Sequence, residues 1–257
     1  ADKYNSLQSA LAGAERLVPL LEEEDRQIAN EVPREFKHIE SIDFEHVWFS
    51  YDNNDVYALE DFTLSIKAGE FIGIVGPSGS GKSTLLSLLM GLYKPTKGAI
   101  YINGIDIANY DSSVLRHLMG YVFQQAYLFK GSIKDNLTLF DTSISYDDMV
   151  AAAKQVNLDS MIEQLPEGYH TPVGYLGSLL SDGQKQLLAF GRTLIRNTPI
   201  LLLDEATANI DSHTEKQIQA SIENIRGSKT IVSIDHRLST VQDANKIVYM
   251  EYGKIIE

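Results

Sequence analysis

Nine residues constrain this chain more than any other stretch: Gly76-Pro77-Ser78-Gly79-Ser80-Gly81-Lys82-Ser83-Thr84. They come after the apolar run Phe71-Ile-Gly-Ile-Val75 and precede Leu85-Leu-Ser-Leu-Leu89. The pattern Gly-x-x-x-x-Gly-Lys-Ser/Thr thus lies between a predicted buried strand and a predicted helix, the setting in which it wraps a phosphate group. Gly79 and Gly81 let backbone N–H groups turn inward around phosphate oxygens, where a Cβ would clash. A helix beginning near Lys82 adds the positive end of its dipole. In such a loop Lys82 reaches the β- and γ-phosphates and the Ser83 hydroxyl ligates Mg²⁺.

Composition excludes several classes. The 257 residues suffice for one large domain or two modest ones. With 44% hydrophobic and 22% charged residues, the chain reads as an ordinary soluble globular protein. A balance of 22 Lys+Arg against 35 Asp+Glu gives −13, which argues against a nucleic-acid partner. A small basic pocket for nucleotide remains compatible with it. The absence of cysteine rules out disulfides and thiolate metal sites and fits a reducing compartment. No apolar run approaches the ~20 residues that cross a bilayer, and no signal peptide is read. Any membrane role is therefore expected to come from a partner or from sequence outside this stretch.

Along the chain, residues 1–35 differ in pattern from the remainder. Leu7, Leu11, Ala14, Val18 and Leu21 recur at helical spacing, with Pro19 kinking or ending the helix. The acidic run Glu22–Asp25 then opens a polar linker that ends near Pro33. From residue 36 the pattern predicts one domain. Phe44, Val47, Phe49 and Tyr51 fit a half-buried strand that leads into a turn over Asp52–Asp55. Leu59–Ile66, Glu70–Val75 and Gly98–Asn103 read as further strands, with Asn103-Gly104 marking a hairpin. Residues 112–196 are mainly helical in pattern, most clearly Ser145–Val156 and Gln184–Arg196. Buried strands return at Ile200–Leu203, Thr230–Ile234 and Lys246–Met250. Strands alternating with helices predict an α/β fold with a mainly parallel sheet covered on both sides.

The strand Ile200-Leu-Leu-Leu-Asp204-Glu205 ends in two carboxylates and resembles a Walker B motif, in which Asp204 holds Mg²⁺ through water and Glu205 orients the attacking water. Leu180-Ser181-Asp182-Gly183-Gln184 resembles the Leu-Ser-Gly-Gly-Gln signature of ATP-binding cassette (ABC) ATPases. Gln124, in Tyr121-Val-Phe-Gln, resembles the Q-loop glutamine that senses metal and the transport partner. Asp211, in Ala208-Asn-Ile-Asp, resembles the D-loop. His236, in Asp235-His-Arg-Leu-Ser-Thr240, resembles the switch histidine that contacts the γ-phosphate. Tyr51 stands where the family stacks an aromatic ring on adenine. Tyr4–Arg16 looks like the segment after the last membrane helix of exporters whose membrane and nucleotide domains share one chain. Thr171-Pro-Val-Gly174 resembles the exporter X-loop, and Leu128-Phe-Lys-Gly-Ser-Ile133 also matches the exporter pattern.

The resemblance implies a phosphate-loop NTPase (RecA-like) sheet core, an antiparallel β subdomain and an inserted helical subdomain at about 112–196. It implies ATP and Mg²⁺ as ligands, with Ser83, Gln124 and Asp204 on the metal side and Lys82, Gln124, Glu205 and His236 as the catalytic set. Two domains are expected to meet head to tail. Ser181 and the Gly183 and Gln184 N–H groups of one would close on the γ-phosphate held by the other. Membrane helices would receive that motion at the cytoplasmic face of the cell membrane. Three departures matter: Asp182 replaces the first signature glycine, Gly174-Tyr-Leu-Gly177 lacks the usual charged pair, and Asp235 replaces a small apolar residue. They suggest an asymmetric pair, in which this chain's own hydrolytic residues are intact and the face offered to a different partner chain is altered. A soluble ABC ATPase and an importer ATPase are the alternatives.

Overall fold

The computed structural model describes residues 38–52, 56–207 and 210–257. The expected N-terminal helix, the acidic linker, the centre of the 52–55 turn and the Ala208-Asn209 end of the D-loop lie outside the described residues. β1 (Ser41–Phe49) and β2 (Leu59–Lys67) pair antiparallel and bury Phe44, Phe49, Leu59 and Phe62. A register shift comes after Phe44, with His46 at φ 48°. β1 closes at Phe49, so Tyr51 lies beyond the strand rather than within it, as its alternation had suggested.

β3 (Phe71–Val75), buried at all five positions, belongs to a second sheet and delivers the chain into the loop and α1 (Lys82–Leu89). β4 (Lys97–Ile102) and β5 (Ile105–Asp106) return to the first sheet, whose order is β2-β1-β4-β5. Their hairpin turns through Asn103 and Gly104 at φ 53° and 74°, the type I′ geometry that matches strand twist.

α2 (Ser112–Leu118) runs directly into β6 (Met119–Val122). This strand was hidden within the helical stretch, because four residues are too few to display a period. A helical insertion comes next: α3 (Ile133–Thr138), α4 (Tyr146–Gln155), α5 (Asp159–Glu163) and α6 (Asp182–Ile195). Its Ile133, Leu137, Met149 and Phe190 share one apolar core with Leu201 and Ile231 of the sheet. β7 (Ile200–Asp204), α7 (Ser212–Ile225), β8 (Thr230–Asp235), α8 (Leu238–Val241), β9 (Lys246–Glu251) and β10 (Lys254–Ile255) complete the domain. The second sheet has the order β10-β9-β3-β8-β7-β6, with every pair parallel except β10 on β9. Among the described residues, no helix is long and apolar enough to cross a membrane.

Candidate nucleotide site

The carboxyl ends of three neighbouring parallel strands converge, with Val75 of β3 opposite Asp235 of β8 and Ile234 opposite Asp204 of β7. This is where open parallel sheets bind ligands. A groove of about 300 Å³ there is lined by Tyr51, Ala58, Ser78, Gly79, Gly81, Lys82, Ser83, Thr84 and Glu205. Lys82 is buried and donates to the carbonyl oxygens of Gly76 at 2.8 Å and Pro77 at 2.9 Å. Burial lowers its pKa, and the carboxylates of Glu205, Asp204 and Asp235 pull it back up. Gly81, at φ 99°, has no room for a Cβ, which would run into the Ala58 carbonyl. Gly79 differs from the steric expectation: a Cβ there meets no protein atom, and its φ of 80° is what favours glycine. The loop is also held from the far side, where Gly253 N–H donates to the Ser80 carbonyl at 3.1 Å and the Gly253 carbonyl accepts from Glu60 N–H at 2.9 Å.

Asp204 and Glu205 divide their partners. Ser83 Oγ lies 3.4 Å from Asp204 Oδ1. A hydroxyl and a carboxylate are the hard oxygen donors that suit Mg²⁺, so the residues fit that ion. The other carboxylate oxygen, Oδ2, accepts from the Tyr121 hydroxyl at 2.7 Å. Burial, then the Asp204 carboxylate, push the Tyr121 phenol far above its ordinary pKa. Glu205 sits at φ 46° and donates its N–H to the Ile234 carbonyl at 2.9 Å. Its carboxylate accepts from Gln124 Nε2 at 2.6 Å and stands 3.7 Å from His236 Nδ1. Gln124, which the resemblance assigns to both the metal side and the catalytic set, thus meets Glu205 through its amide nitrogen.

Asp235, the unusual residue before the histidine, is 1% exposed. It accepts from Arg237 N–H at 2.8 Å and from the Thr207 hydroxyl at 3.4 Å, and its Oδ1 lies 3.7 Å from His236 Nδ1. Arg237 in turn donates to the Thr207 carbonyl at 2.8 Å and pairs with Glu215 at 3.3 Å. Sequence reasoning missed the roles of Tyr121, Thr207 and Arg237. In the sequence Tyr121 is only a neighbour of Gln124, and its role needs the unrecognised β6.

The signature residues lie elsewhere. Ser181 Oγ accepts from Gln184 N–H at 3.2 Å, and Gln184 Oε1 accepts from Ser181 N–H at 2.9 Å. This capping box starts α6 at Asp182, two residues before the expected Gln184. It also engages Ser181, which the resemblance had aimed at phosphate. Asp182 is exposed and paired with Lys185 Nζ at 2.9 Å. A Cβ on Gly183 would stand 2.6 Å from Thr214 Oγ1, because α7 packs there. Asp211 caps α7, accepting from the Thr214 and His213 N–H groups at 3.0 Å each, and the Thr214 backbone bond is the main cause that lowers its pKa. None of Ser181, Asp182, Gly183, Gln184 and Asp211 lines the phosphate groove. α6 also grips the segment after β6, through Gln186 to the Phe123 carbonyl at 2.9 Å and Arg192 to the Tyr127 carbonyl at 3.1 Å. The two exporter-like stretches meet as well: Val173 N–H donates to the Gly131 carbonyl at 3.0 Å.

Tyr51 stands at the groove mouth, its hydroxyl 3.0 Å from Thr84 Oγ1 and its ring edge-on to Phe49 and Tyr93 at 4.8 and 5.3 Å. A ring braced in this way offers a planar apolar surface for a base. Tyr51→Ala is expected to weaken ATP binding by about 1–3 kcal/mol, the range of aromatic–base stacking, and Tyr51→Phe to retain most of it. Calorimetric titration of both variants checks this; wild-type affinity in the alanine variant rules out stacking on Tyr51.

A phosphate loop, a strand-end carboxylate pair and a signature helix on an inserted helical segment define an ATP-binding cassette. The ABC transporter family profile matches residues 59–208. The chain is 40% identical over 258 residues to YfiC of Bacillus subtilis, an uncharacterized ABC transporter ATP-binding protein, covering all of this chain and 42% of that one. It is 37% identical over 257 residues to an ATP-dependent lipid A-core flippase of Syntrophus aciditrophicus, covering 98% and 42%. A solved bacterial Atm1-family ABC exporter with ATP bound superposes with a TM-score of 0.88 at 36% identity, over 99% of this chain and 44% of that one. The chain therefore belongs to the ABC transporter family, as a nucleotide-binding domain of the exporter type. It spans less than half the length of these relatives.

Proposed function

We propose that this domain hydrolyses Mg-ATP as the motor of an exporter, at the cytoplasmic face of a membrane, by closing head to tail on a second nucleotide-binding domain. The observation that carries the reading is the setting of Glu205. Its carboxylate lines the phosphate groove between Gln124 and His236, where it can orient a water on the γ-phosphate. Lys82 and the loop N–H groups hold the phosphates, and Ser83 and Asp204 would hold Mg²⁺. When bound, Mg²⁺ neutralises charge that builds on the phosphoryl oxygens. The start of α6 presents N–H groups away from the chain's own groove, which suits a partner's γ-phosphate. ATP would then join the domains and hydrolysis release them.

The altered face supports an asymmetric pair, this chain completing its own site with a different partner's intact signature. At ~6 Å and an effective dielectric near 20, the Asp182 carboxylate and a phosphate charge would repel by roughly 3 kcal/mol. Lys185 offsets much of that locally, so the asymmetry rests on the missing charged pair at Gly174–Gly177 as much as on Asp182. In the assembled transporter, Asp182→Gly should change the ATPase rate by no more than about fivefold, the scale of an exposed ion pair. The deciding experiment is purification of the natural complex with hydrolysis measured at each site. Two copies of this chain hydrolysing at equal rates would exclude asymmetry, and recovery as a free cytosolic protein would exclude the transporter.

A further inference from the structure

We infer that Tyr121 is a positioning residue for the metal-side carboxylate: its hydroxyl locks Asp204 in the orientation that turns Oδ1 toward Ser83. The inference rests on the reading of Asp204 as a holder of Mg²⁺.

The geometry begins with register. β6 lies parallel to β7 with Tyr121 opposite Leu202. Side chains two apart on a strand share a face, so Asp204 comes after Leu202 on the face that Tyr121 also uses. The phenol spans that step, and its hydroxyl donates to Asp204 Oδ2 at 2.7 Å. Asp204 Oδ1 is left facing Ser83 Oγ at 3.4 Å. A carboxylate at a strand end is free to rotate about its terminal torsion. One strong donor on one oxygen removes that freedom and decides which lone pairs face the ion, as outer-shell partners of metal ligands do. The Tyr121 ring is itself braced, with its centroid 4.4 Å from that of Phe123.

Tyr121 is distinct from Gln124 in what it holds. The same short segment delivers Gln124 to Glu205, the water-side carboxylate, and Tyr121 to Asp204, the metal-side one. Loss of the phenol hydroxyl should accordingly appear in metal affinity and leave binding of the nucleotide itself unchanged.

The test is Tyr121→Phe, which keeps the ring and deletes only the donor, measured on the full-length protein. Mn²⁺ binding is read by electron paramagnetic resonance in the presence of ADP, and nucleotide binding is measured separately with the metal chelated. We expect Mn²⁺ affinity to fall by about 10- to 100-fold, the usual cost of losing an outer-shell partner of a metal ligand, with metal-free ADP affinity unchanged. The Mg²⁺ concentration that half-saturates hydrolysis should rise by a similar factor. Unchanged Mn²⁺ affinity overturns the inference, as does an equal loss of metal-free ADP binding, which would mark a merely structural role. Tyr121→Leu, which removes ring and hydroxyl together, must weaken Mn²⁺ binding at least as much. Asp204→Asn separates the role of the carboxylate from that of the phenol. If it binds Mn²⁺ like wild type, the metal role of Asp204 fails; if it loses Mn²⁺ and Tyr121→Phe does not, only the positioning role of Tyr121 fails.

Discussion

Lys82→Ala should bind Mg-ATP about a thousandfold more weakly than wild type. Among the described residues, the ammonium is the only side-chain cation lining the groove, and it acts against the negative field of Glu205, Asp204 and Asp235. Its removal leaves that negative field uncompensated, with the Glu205 carboxylate lining the same groove. One unit-charge contact at ~4 Å with an effective dielectric of 20 is worth about 4 kcal/mol, or roughly a thousandfold in Kd. Isothermal calorimetry on the purified chain gives the number, with melting in the absence of nucleotide as the control for folding. Wild-type affinity in a folded Lys82→Ala protein would remove this loop from nucleotide binding.

Glu205→Gln should show the complementary pattern, with ATP binding retained and hydrolysis slowed by about 10²–10⁴-fold, the usual contribution of a positioned base. The amide keeps the size of the carboxylate, and its oxygen can still accept from Gln124, which now donates to Glu205 at 2.6 Å. What would be lost is the negative charge that orients the attacking water in the proposed mechanism. A head-to-tail dimer held by unhydrolysed ATP should accumulate as a consequence. Single-turnover hydrolysis and sedimentation with ATP measure the two effects. A turnover within a few-fold of wild type would transfer the catalytic role to another group, His236 being the nearest candidate.

The parts of this site that sequence revealed are those whose chemistry needs contiguous residues. A phosphate is wrapped by consecutive backbone amides, so Gly76–Thr84 announces itself within one stretch. Asp204-Glu205 is legible because an unbroken apolar strand must stop where its charges begin. The Ser181 to Gln184 spacing likewise marks a helix start, although the pattern alone places the start of α6 two residues late. What stayed hidden depends on pairing across long separations. Tyr121 and Asp204 are 83 residues apart, and Gln124 and Glu205 are 81. Both contacts exist because β6 lies beside β7, and a four-residue strand leaves no periodic trace. Asp235 was visible as a departure, but its partners were not. Thr207 meets it from 28 residues away, and Glu215 is joined to it through Arg237, a residue that the sequence placed in no role.

The loop between β3 and α1 touches both sheets. Gly81 abuts Ala58 at the entrance to β2, and Ser80 is tied to Gly253 in the turn before β10, which is itself bonded to Glu60 of β2. The cradle is thus a seam: one of its walls belongs to the antiparallel sheet and the other to the parallel one. A nucleotide seated in it stabilises the native state in proportion to its occupancy, and that gain cannot accrue to one sheet alone. A bound nucleotide would therefore bridge two structural layers, and a substitution that loosens the seam should lower its affinity.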